Sequence, residues 1–148
     1  MKLNDCINFM LTCAQNTVFS FFKGRLAEFD VTPVQYAILK CLWDEGDQYP
    51  TQLANMLHLD TSTITGILTR MERKGLIVRT HSETDRRAVL IRITKAGKDL
   101  QPAIEARIAE CNRDILGEVG EENYDQFVAA LRQITDTGMA LNEKANDK

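Results

Sequence analysis

A short stretch near the middle of the chain concentrates small hydroxyl side chains that can hydrogen-bond to a polar partner. The hydroxyl residues are Thr61, Ser62, Thr63, Thr65 and Thr69, and Gly66 and Arg70 lie among them. In a major groove, such hydroxyls can contact base edges or phosphates, and threonine methyls can contact thymine methyls. Gly66 costs about 1 kcal/mol of helix stability relative to alanine, which a close approach to another backbone would explain. The alternative is a solvated helix face, although β-branched threonines are mediocre helix formers.

The charge of the chain is unevenly distributed along its 148 residues. Residues 51–95 hold eight Lys or Arg against four Asp or Glu, a balance of +4, whereas the remainder holds ten against seventeen, a balance of −7. A duplex responds to the local field of a protein, so the overall charge of −3 does not exclude DNA as a partner. The pattern indicates a basic module within an acidic frame.

A second polar segment, residues 81–87, lies between two apolar runs with the period of a β-strand. Residues 76–79 and 88–93 are predicted to be the strands, and the segment between them is predicted to be an exposed hairpin tip. Asp85, Arg86 and Arg87 would lie at that tip. A solvated turn is the alternative interpretation of these three residues.

The elements that must position these groups are mostly helical. Apolar spacing predicts a helix over residues 3–28, and Thr32 to Gln35 predict the N-cap and first turn of a second helix that ends at Gly46. A short helix over residues 51–58 should precede a helix from Thr61 to Lys74, with Asp60 as its N-cap and Gly75 beyond its end. The last-turn cations Arg73 and Lys74 fit either phosphate contacts or compensation of the helix dipole.

The chain beyond the hairpin is predicted to be helical as well. Thr94 should cap a helix that continues through Ile115 to a break at Gly117 or Gly120. A final helix from Glu121 is predicted to fray over residues 142–148. The whole pattern predicts a helix-turn-helix followed by a wing, flanked by helices from both chain ends.

Several motifs of this pattern resemble the multiple-antibiotic-resistance regulator (MarR) family. The matching segments are Leu53-Ala54, Leu59 to Thr65, Leu68 to Arg79, Asp85 to Ala88 and Ile93 to Gly97. The Asp-x-Arg wing followed by Ile-Thr-x-x-Gly is the most specific of them. The resemblance implies a transcriptional regulator with a mainly α fold and a small β-hairpin wing.

The resemblance also implies an organisation for the chain. A single domain over 1–148 would contain a winged helix-turn-helix lobe at 32–96 and a helical dimerisation region built from 1–31 and 97–148. Two chains would form an obligate homodimer on double-stranded DNA, with one recognition helix in each of two successive major grooves of a pseudopalindromic operator. Such a regulator is most simply a repressor.

Roles for individual residues follow by position from the same resemblance. Thr61 to Thr65, Thr69 and Arg70 would face the groove, and Arg87, oriented by Asp85, would enter a narrow minor groove. Arg86, Arg73 and Lys74 would serve phosphates. Thr51, at the start of the preceding helix, would offer its hydroxyl and backbone N–H to a phosphate.

Members of the family often respond to small aromatic ligands, and this chain has material for such a site. The candidate residues are Phe9, Met10, Cys13, Thr17, Tyr36, Lys40 and Trp43. Plain core or dimer packing is the alternative, since most of them fall at helical spacing.

Cysteine oxidation is the rival signal, because one branch of the family has a reactive cysteine in its first helix. Cys6 and Cys13 lie in that helix, but neither falls on the corresponding position, and the sequence neighbours of Cys13 include no basic residue. We therefore expect all four cysteines to be buried, inert thiols. The two histidines are not at metal-ligand spacing, and His58 is expected at the surface of a helix end.

Other classes of protein find little support in the sequence. No apolar run is long enough to span a membrane, and no secretory signal is evident, so we expect a cytosolic protein. No nucleophile–base pair, phosphate loop or acid pair indicates an enzyme, and no metal or cofactor is expected. An interaction adaptor without DNA affinity remains as an alternative.

Overall fold

The computed structural model describes residues 2–147 and shows a mostly helical chain with one antiparallel hairpin. The fold class expected from the sequence is confirmed. The helices are α1 (Ile7–Leu26), α2 (Pro33–Glu45), α3 (Pro50–Met56), α4 (Thr61–Arg73), α5 (Lys95–Asp99), α6 (Gln101–Leu116) and α7 (Glu121–Asn146). The strands are β1 (Ile77–His81) and β2 (Val89–Ile93), and short 3-10 turns cover Leu3–Asp5 and Ala27–Phe29.

Three predicted helix caps are present with their hydrogen bonds. The Thr32 hydroxyl accepts from the Gln35 amide at 3.2 Å, and the Gln35 side chain accepts from the Thr32 amide at the same distance. Asp60 caps α4 and Thr94 caps α5 in the same manner. These bonds satisfy amides that the first turn of a helix leaves without partners.

The chain beyond the hairpin differs from the prediction in one respect. The helix expected to run continuously from Thr94 is divided at Leu100 into α5 and α6. Pro102 explains the break, because its ring nitrogen has no hydrogen to donate to the carbonyl of Lys98. The first predicted helix is likewise shorter, since its ends form the two 3-10 turns.

The chain divides into two compact units, one reaching Ala109 and the other starting at Glu110. The predicted lobe boundaries, 31/32 and 96/97, both lie within the first unit. Its core combines residues from α1 to α4, the hairpin and α6. The fully buried side chains of this core are Leu26, Ile38, Leu39, Leu53, Ile64, Leu68, Met71, Ile77, Ile91 and Ile104.

The second unit contains the end of α6 and all of α7. None of the described α7 residues is buried within this chain, although the helix carries a regular series of apolar side chains. An open cleft of about 450 Å³ lies where α6 ends and α7 begins, lined partly by Arg113, Leu116 and Tyr124. Among residues 2–147, no helix is long and apolar enough to cross a membrane.

Candidate nucleic-acid interface

Helix α4 has one apolar face and one hydroxyl face. Its apolar side chains, Ile64, Ile67, Leu68 and Met71, are buried in the core of the first unit. The candidate groove residues lie on the other side: Thr61, Ser62, Thr63, Thr65 and Arg70 are exposed, and Gly66 and Thr69 are half-buried. Burial of the apolar face therefore orients the polar face outward.

The start of α4 is organised by Asp60. One carboxylate oxygen of Asp60 accepts hydrogen bonds from the Thr63 amide and the Ser62 hydroxyl, both at 2.7 Å. The bond from the Thr63 amide is the largest cause of the lowered pKa of Asp60, and the Ser62 hydroxyl adds to it. Asp60 therefore acts as a charged N-cap of α4. Thr61, Ser62 and Thr63 in the first turn of the helix remain exposed.

Two threonines of α4 hydrogen-bond to the helix backbone. The Thr65 hydroxyl donates to the Thr61 carbonyl at 2.8 Å, and the Thr69 hydroxyl donates to the Thr65 carbonyl at 2.9 Å. In this geometry Thr65 keeps its oxygen lone pairs and its methyl group for an external partner. Thr69 differs, because its hydroxyl also accepts from Arg79 Nη2 at 3.1 Å and so joins α4 to β1.

Arg79 joins the hairpin to α4. Its guanidinium forms an ion pair with Glu72, and its backbone amide donates to the same carboxylate at 3.3 Å. Sequence reasoning counted Arg79 as part of the basic module but gave it no role. The Arg79 spacing to Glu72 along the sequence does not reveal the pairing, since the chain turns at Gly75 between them.

Gly66 is not required by packing within the protein. A Cβ atom at this position would meet only Arg70 Nη1, at an ordinary contact distance of 3.7 Å. Gly75, by contrast, has φ of +73°, which favours glycine at the end of α4. The prediction that Gly66 permits a close approach by another backbone therefore stays open to test.

The wing exposes its charged tip. Strand pairing runs from Ile77 opposite Ile93 to His81 opposite Val89, so the tip comprises residues 82–88. Arg86 and Arg87 are exposed there. The Asp85 carboxylate accepts from the backbone amide of Arg87 at 3.0 Å, so Asp85 holds the backbone of Arg87.

The hairpin is attached to the segment before α3 near its base and at the outer end of β1. Gln48 and Ile91 exchange two backbone hydrogen bonds of 3.1 and 2.8 Å. Arg92 forms a 2.8 Å ion pair with Asp47, and the Tyr49 hydroxyl donates to Ser82 Oγ at 3.0 Å. These contacts could not be predicted from the sequence, because the partners lie more than thirty positions apart along the chain.

The two cations at the end of α4 have different surroundings. Lys74 Nζ contacts the Asp30 carbonyl at 2.6 Å, the Asp30 carboxylate at 3.2 Å and Gln35 Oε1 at 3.1 Å. These internal partners fix Lys74 against the start of α2. Arg73 is exposed, as is Thr51 in the first turn of α3.

Comparison with known proteins identifies this arrangement. The MarR family model matches residues 31–89. The organic hydroperoxide resistance transcriptional regulator of Bacillus subtilis (strain 168) is 31% identical over 139 residues, which are 93% of this chain and 92% of that protein. The chain belongs to the MarR family.

Two further similar proteins extend the comparison. The homoprotocatechuate degradative operon repressor of Escherichia coli is 28% identical, with 95% of each chain aligned. The transcriptional repressor CouR, solved on a 23-mer DNA duplex, has a TM-score of 0.82 and 28% identity over 90% of this chain and 94% of that one. These similarities confirm the expectation that the chain is a DNA-binding transcriptional regulator of the MarR family.

Three of the predicted ligand residues come together on α2 of this MarR-family chain. The rings of Tyr36 and Trp43 lie 6.4 Å apart, and the Trp43 indole donates to the Gly97 carbonyl at 3.1 Å. Lys40 Nζ contacts Asp44 at 2.8 Å and Glu105 at 2.9 Å. These hydrogen bonds raise the pKa of Lys40, while burial raises the pKa of Tyr36.

The other predicted ligand residues lie on α1. Met10, Cys13 and Thr17 are exposed in this chain, and Phe9 is half-buried. The expectation of four buried thiols is wrong for Cys13, which is exposed among the described residues 2–147. Cys111 is buried, Cys6 and Cys41 are half-buried, and burial raises the pKa of Cys41. The surface position of His58 is confirmed.

Proposed function

We propose that this chain is a repressor that binds a pseudopalindromic operator as a homodimer and is released by a small aromatic ligand. The observation that carries the DNA-binding part is the pairing of an outward hydroxyl face on α4 with two exposed arginines at the tip of the wing. The Arg79 bridge holds these two features side by side. Relatives of the chain are transcriptional regulators, which is also consistent with the absence of an enzymatic role.

The proposed contacts divide into reading and anchoring groups. Thr61, Ser62, Thr63, Thr65 and Arg70 would contact base edges or nearby phosphates in the major groove, with Gly66 allowing close approach. Arg87 would enter the adjacent minor groove, where negative potential concentrates. Phosphate contacts would come from Thr51, Arg73 and Arg86.

The test of DNA binding begins with selection of duplexes from a random library by the full-length protein. We expect the selected sequences to share an inverted repeat, with half-sites about 34 Å apart centre to centre. The logarithm of the binding constant should fall steeply and linearly with the logarithm of salt concentration. Retention that does not depend on salt, or no retention at all, would favour the alternative of an interaction adaptor.

Thr65 offers a test of base reading in particular. Thr65→Val keeps the size and the methyl group but removes the oxygen lone pairs that the structure leaves available. We expect the variant to change the ranking of operators that differ at single base pairs, by about 1–3 kcal/mol at the contacted position. A uniform loss of affinity for all duplexes would contradict a reading role for Thr65.

The proposed dimer rests on the apolar stripe of α7. Phe127, Leu131, Ile134 and Leu141 recur at the spacing of a coiled-coil seam and are 40%, 39%, 42% and 60% exposed in the single chain. A contiguous apolar face of this kind is covered when two chains associate. Leu131→Glu should convert the dimer to a monomer in sedimentation experiments, whereas Arg132→Glu, one residue away, should not.

The proposed effector is aromatic because of the Tyr36–Trp43 pair beside Lys40. The relative named for homoprotocatechuate degradation supports this class of ligand. Phenolic acids should raise the melting temperature of the wild-type protein and release DNA, and Trp43→Leu should abolish both effects.

Cysteine oxidation is the second candidate for the signal. The exposure of Cys13 and the relative named for organic hydroperoxide resistance favour it. If peroxide releases DNA, and the release is reversed by thiol and lost in Cys13→Ser, then the signal is redox and the aromatic proposal is wrong.

A further inference from the structure

Ser82 is buried although it begins a charged hairpin tip. Its exposed fraction is only 6%, while the next five residues along the chain are all exposed. The Ser82 hydroxyl accepts from the Tyr49 hydroxyl at 3.0 Å and from the Thr84 amide at 3.3 Å, and it shares a 3.0 Å hydrogen bond with the Thr84 hydroxyl. Both lone pairs and the proton of Ser82 Oγ therefore have partners.

Tyr49 makes a firm anchor for this hydroxyl because its own backbone is held at the start of α3. The Tyr49 amide donates to Gln52 Oε1 at 2.8 Å, and the Tyr49 carbonyl accepts from the Leu53 amide at 3.1 Å. Leu53 is fully buried in the core. The phenol thus extends from a fixed point of the helix-turn-helix to the outer end of β1.

The Tyr49 contact lies farther toward the tip than two other contacts that join the hairpin to the segment before α3, the Gln48–Ile91 backbone bridge and the Arg92–Asp47 ion pair. Ile91 pairs with Arg79 in the sheet. Ser82 lies three residues beyond Arg79, which is about 10 Å farther toward the tip at the rise of a β-strand. A two-stranded hairpin held only near its base can pivot there, whereas an attachment farther out restrains that motion.

Hydrogen bonds continue from Ser82 to the wing arginine. The Ser82 amide donates to the Ala88 carbonyl at 3.1 Å, and the Ala88 amide donates to the Asp85 carbonyl at 3.0 Å. The Asp85 side chain then accepts from the Arg87 amide at 3.0 Å. A restraint applied at Ser82 is therefore transmitted to the backbone of Arg87.

We propose that Tyr49 is a positioning residue that sets the direction of the wing through Ser82 and thereby delivers Arg87 to DNA. This inference rests on the proposed DNA-binding function. Tyr49 itself is half-buried and acts through the hairpin, so it adds no contact to bases or phosphates. Its effect on affinity should accordingly require the Arg87 guanidinium.

The test compares Tyr49→Phe with the wild-type protein. The probe is a 24-base-pair duplex chosen from those that the wild-type protein selects, and affinity is read by fluorescence anisotropy at one salt concentration. We expect Tyr49→Phe to bind about three- to tenfold more weakly. Tyr124→Phe, which removes a hydroxyl in the second unit, is the matched control and should bind like the wild type.

A double variant distinguishes positioning from a merely structural role. On the Arg87→Ala background, Tyr49→Phe should cause no further loss, because the group that it positions is already absent. Ser82→Ala removes the acceptor without altering α3 and should reproduce the Tyr49→Phe loss. Independent, multiplicative losses in the double variant would overturn the proposal.

Amide hydrogen exchange in the free protein supplies a readout that does not depend on DNA. Exchange at residues 82–88 should be faster in Tyr49→Phe than in the wild type, while exchange in α2 and α4 should be unchanged. Equal exchange at the wing would overturn the proposal. A wild-type protein that selects no duplex would refute the proposed function, whereas a wild type that binds with Tyr49→Phe unaffected would refute only this inference.

Discussion

Replacement of Arg87 by alanine tests the wing most directly. The Arg87 side chain is exposed, and within residues 2–147 no hydrogen bond or ion pair involves its guanidinium. Folding therefore gains little from this side chain, and the free energy of unfolding should change by less than about 0.5 kcal/mol. Removal of the Arg87 side chain should therefore change the affinity for DNA and leave the stability of the free protein nearly unchanged.

The size of the DNA effect follows from the kind of contact proposed. A hydrogen bond to a charged group contributes about 1.5–3 kcal/mol, and each 1.4 kcal/mol is a tenfold change in affinity. Arg87→Ala should thus weaken operator binding by roughly 10- to 150-fold. If the guanidinium also neutralises one phosphate, the slope of log affinity against log salt should fall by about 0.9.

The assay is a salt titration of operator binding, paired with thermal unfolding of the same samples. Arg132→Ala removes an equal charge from exposed α7 and serves as the control, with little change in affinity expected. An Arg87→Ala protein that binds its operator like the wild type at moderate salt would refute the wing assignment. A large fall in melting temperature would instead show that Arg87 has a structural role.

Two further predictions concern the supports of the lobe. Gly97→Ala would place a Cβ atom 2.4 Å from the Leu76 carbonyl oxygen, so it should lower the melting temperature by about 5 °C or more, whereas Gly66→Ala, whose Cβ would meet only Arg70 Nη1 at 3.7 Å, should not. Glu105 has a lowered pKa, mainly because Lys40 hydrogen-bonds to its charged form. Its contribution to stability is present above the unfolded-state pKa of about 4.3 and is lost as pH falls through the lower folded-state value. Glu105→Gln should therefore melt below the wild type at neutral pH, and the difference should shrink as the pH falls below about 4.3; an unchanged difference on acidification would contradict the ion pair.

Local patterns in the sequence were enough to predict most elements of the first unit. The capping pairs at Thr32 and Asp60 and the glycine at position 75 act through hydrogen bonds and dihedral angles within a few residues. The position of Pro102 could have predicted the break after α5, since the missing amide hydrogen is also a local property. The hydroxyl face of α4 was likewise readable, because burial of every third or fourth residue decides which side faces out.

The contacts that give individual side chains their roles were not readable in the same way. Lys74 matched a phosphate-binding position by sequence, yet the fold directs it to Asp30 and Gln35. Thr69 looked like a groove residue, and its hydroxyl lies between the Thr65 carbonyl and Arg79. In both cases the partner is distant along the chain or lies on another element.

The sequence by itself determined the fold class, the basic centre within an acidic frame, and the exposed polar surfaces of α4 and the wing. These follow from periodicity, capping and charge, which act over short distances along the chain. Only the tertiary structure decided which polar groups remain available and which are used to hold the lobe together. The attachment of Tyr49 to Ser82 is such a case, because two hydroxyls 33 positions apart become partners only after the hairpin packs beside α3.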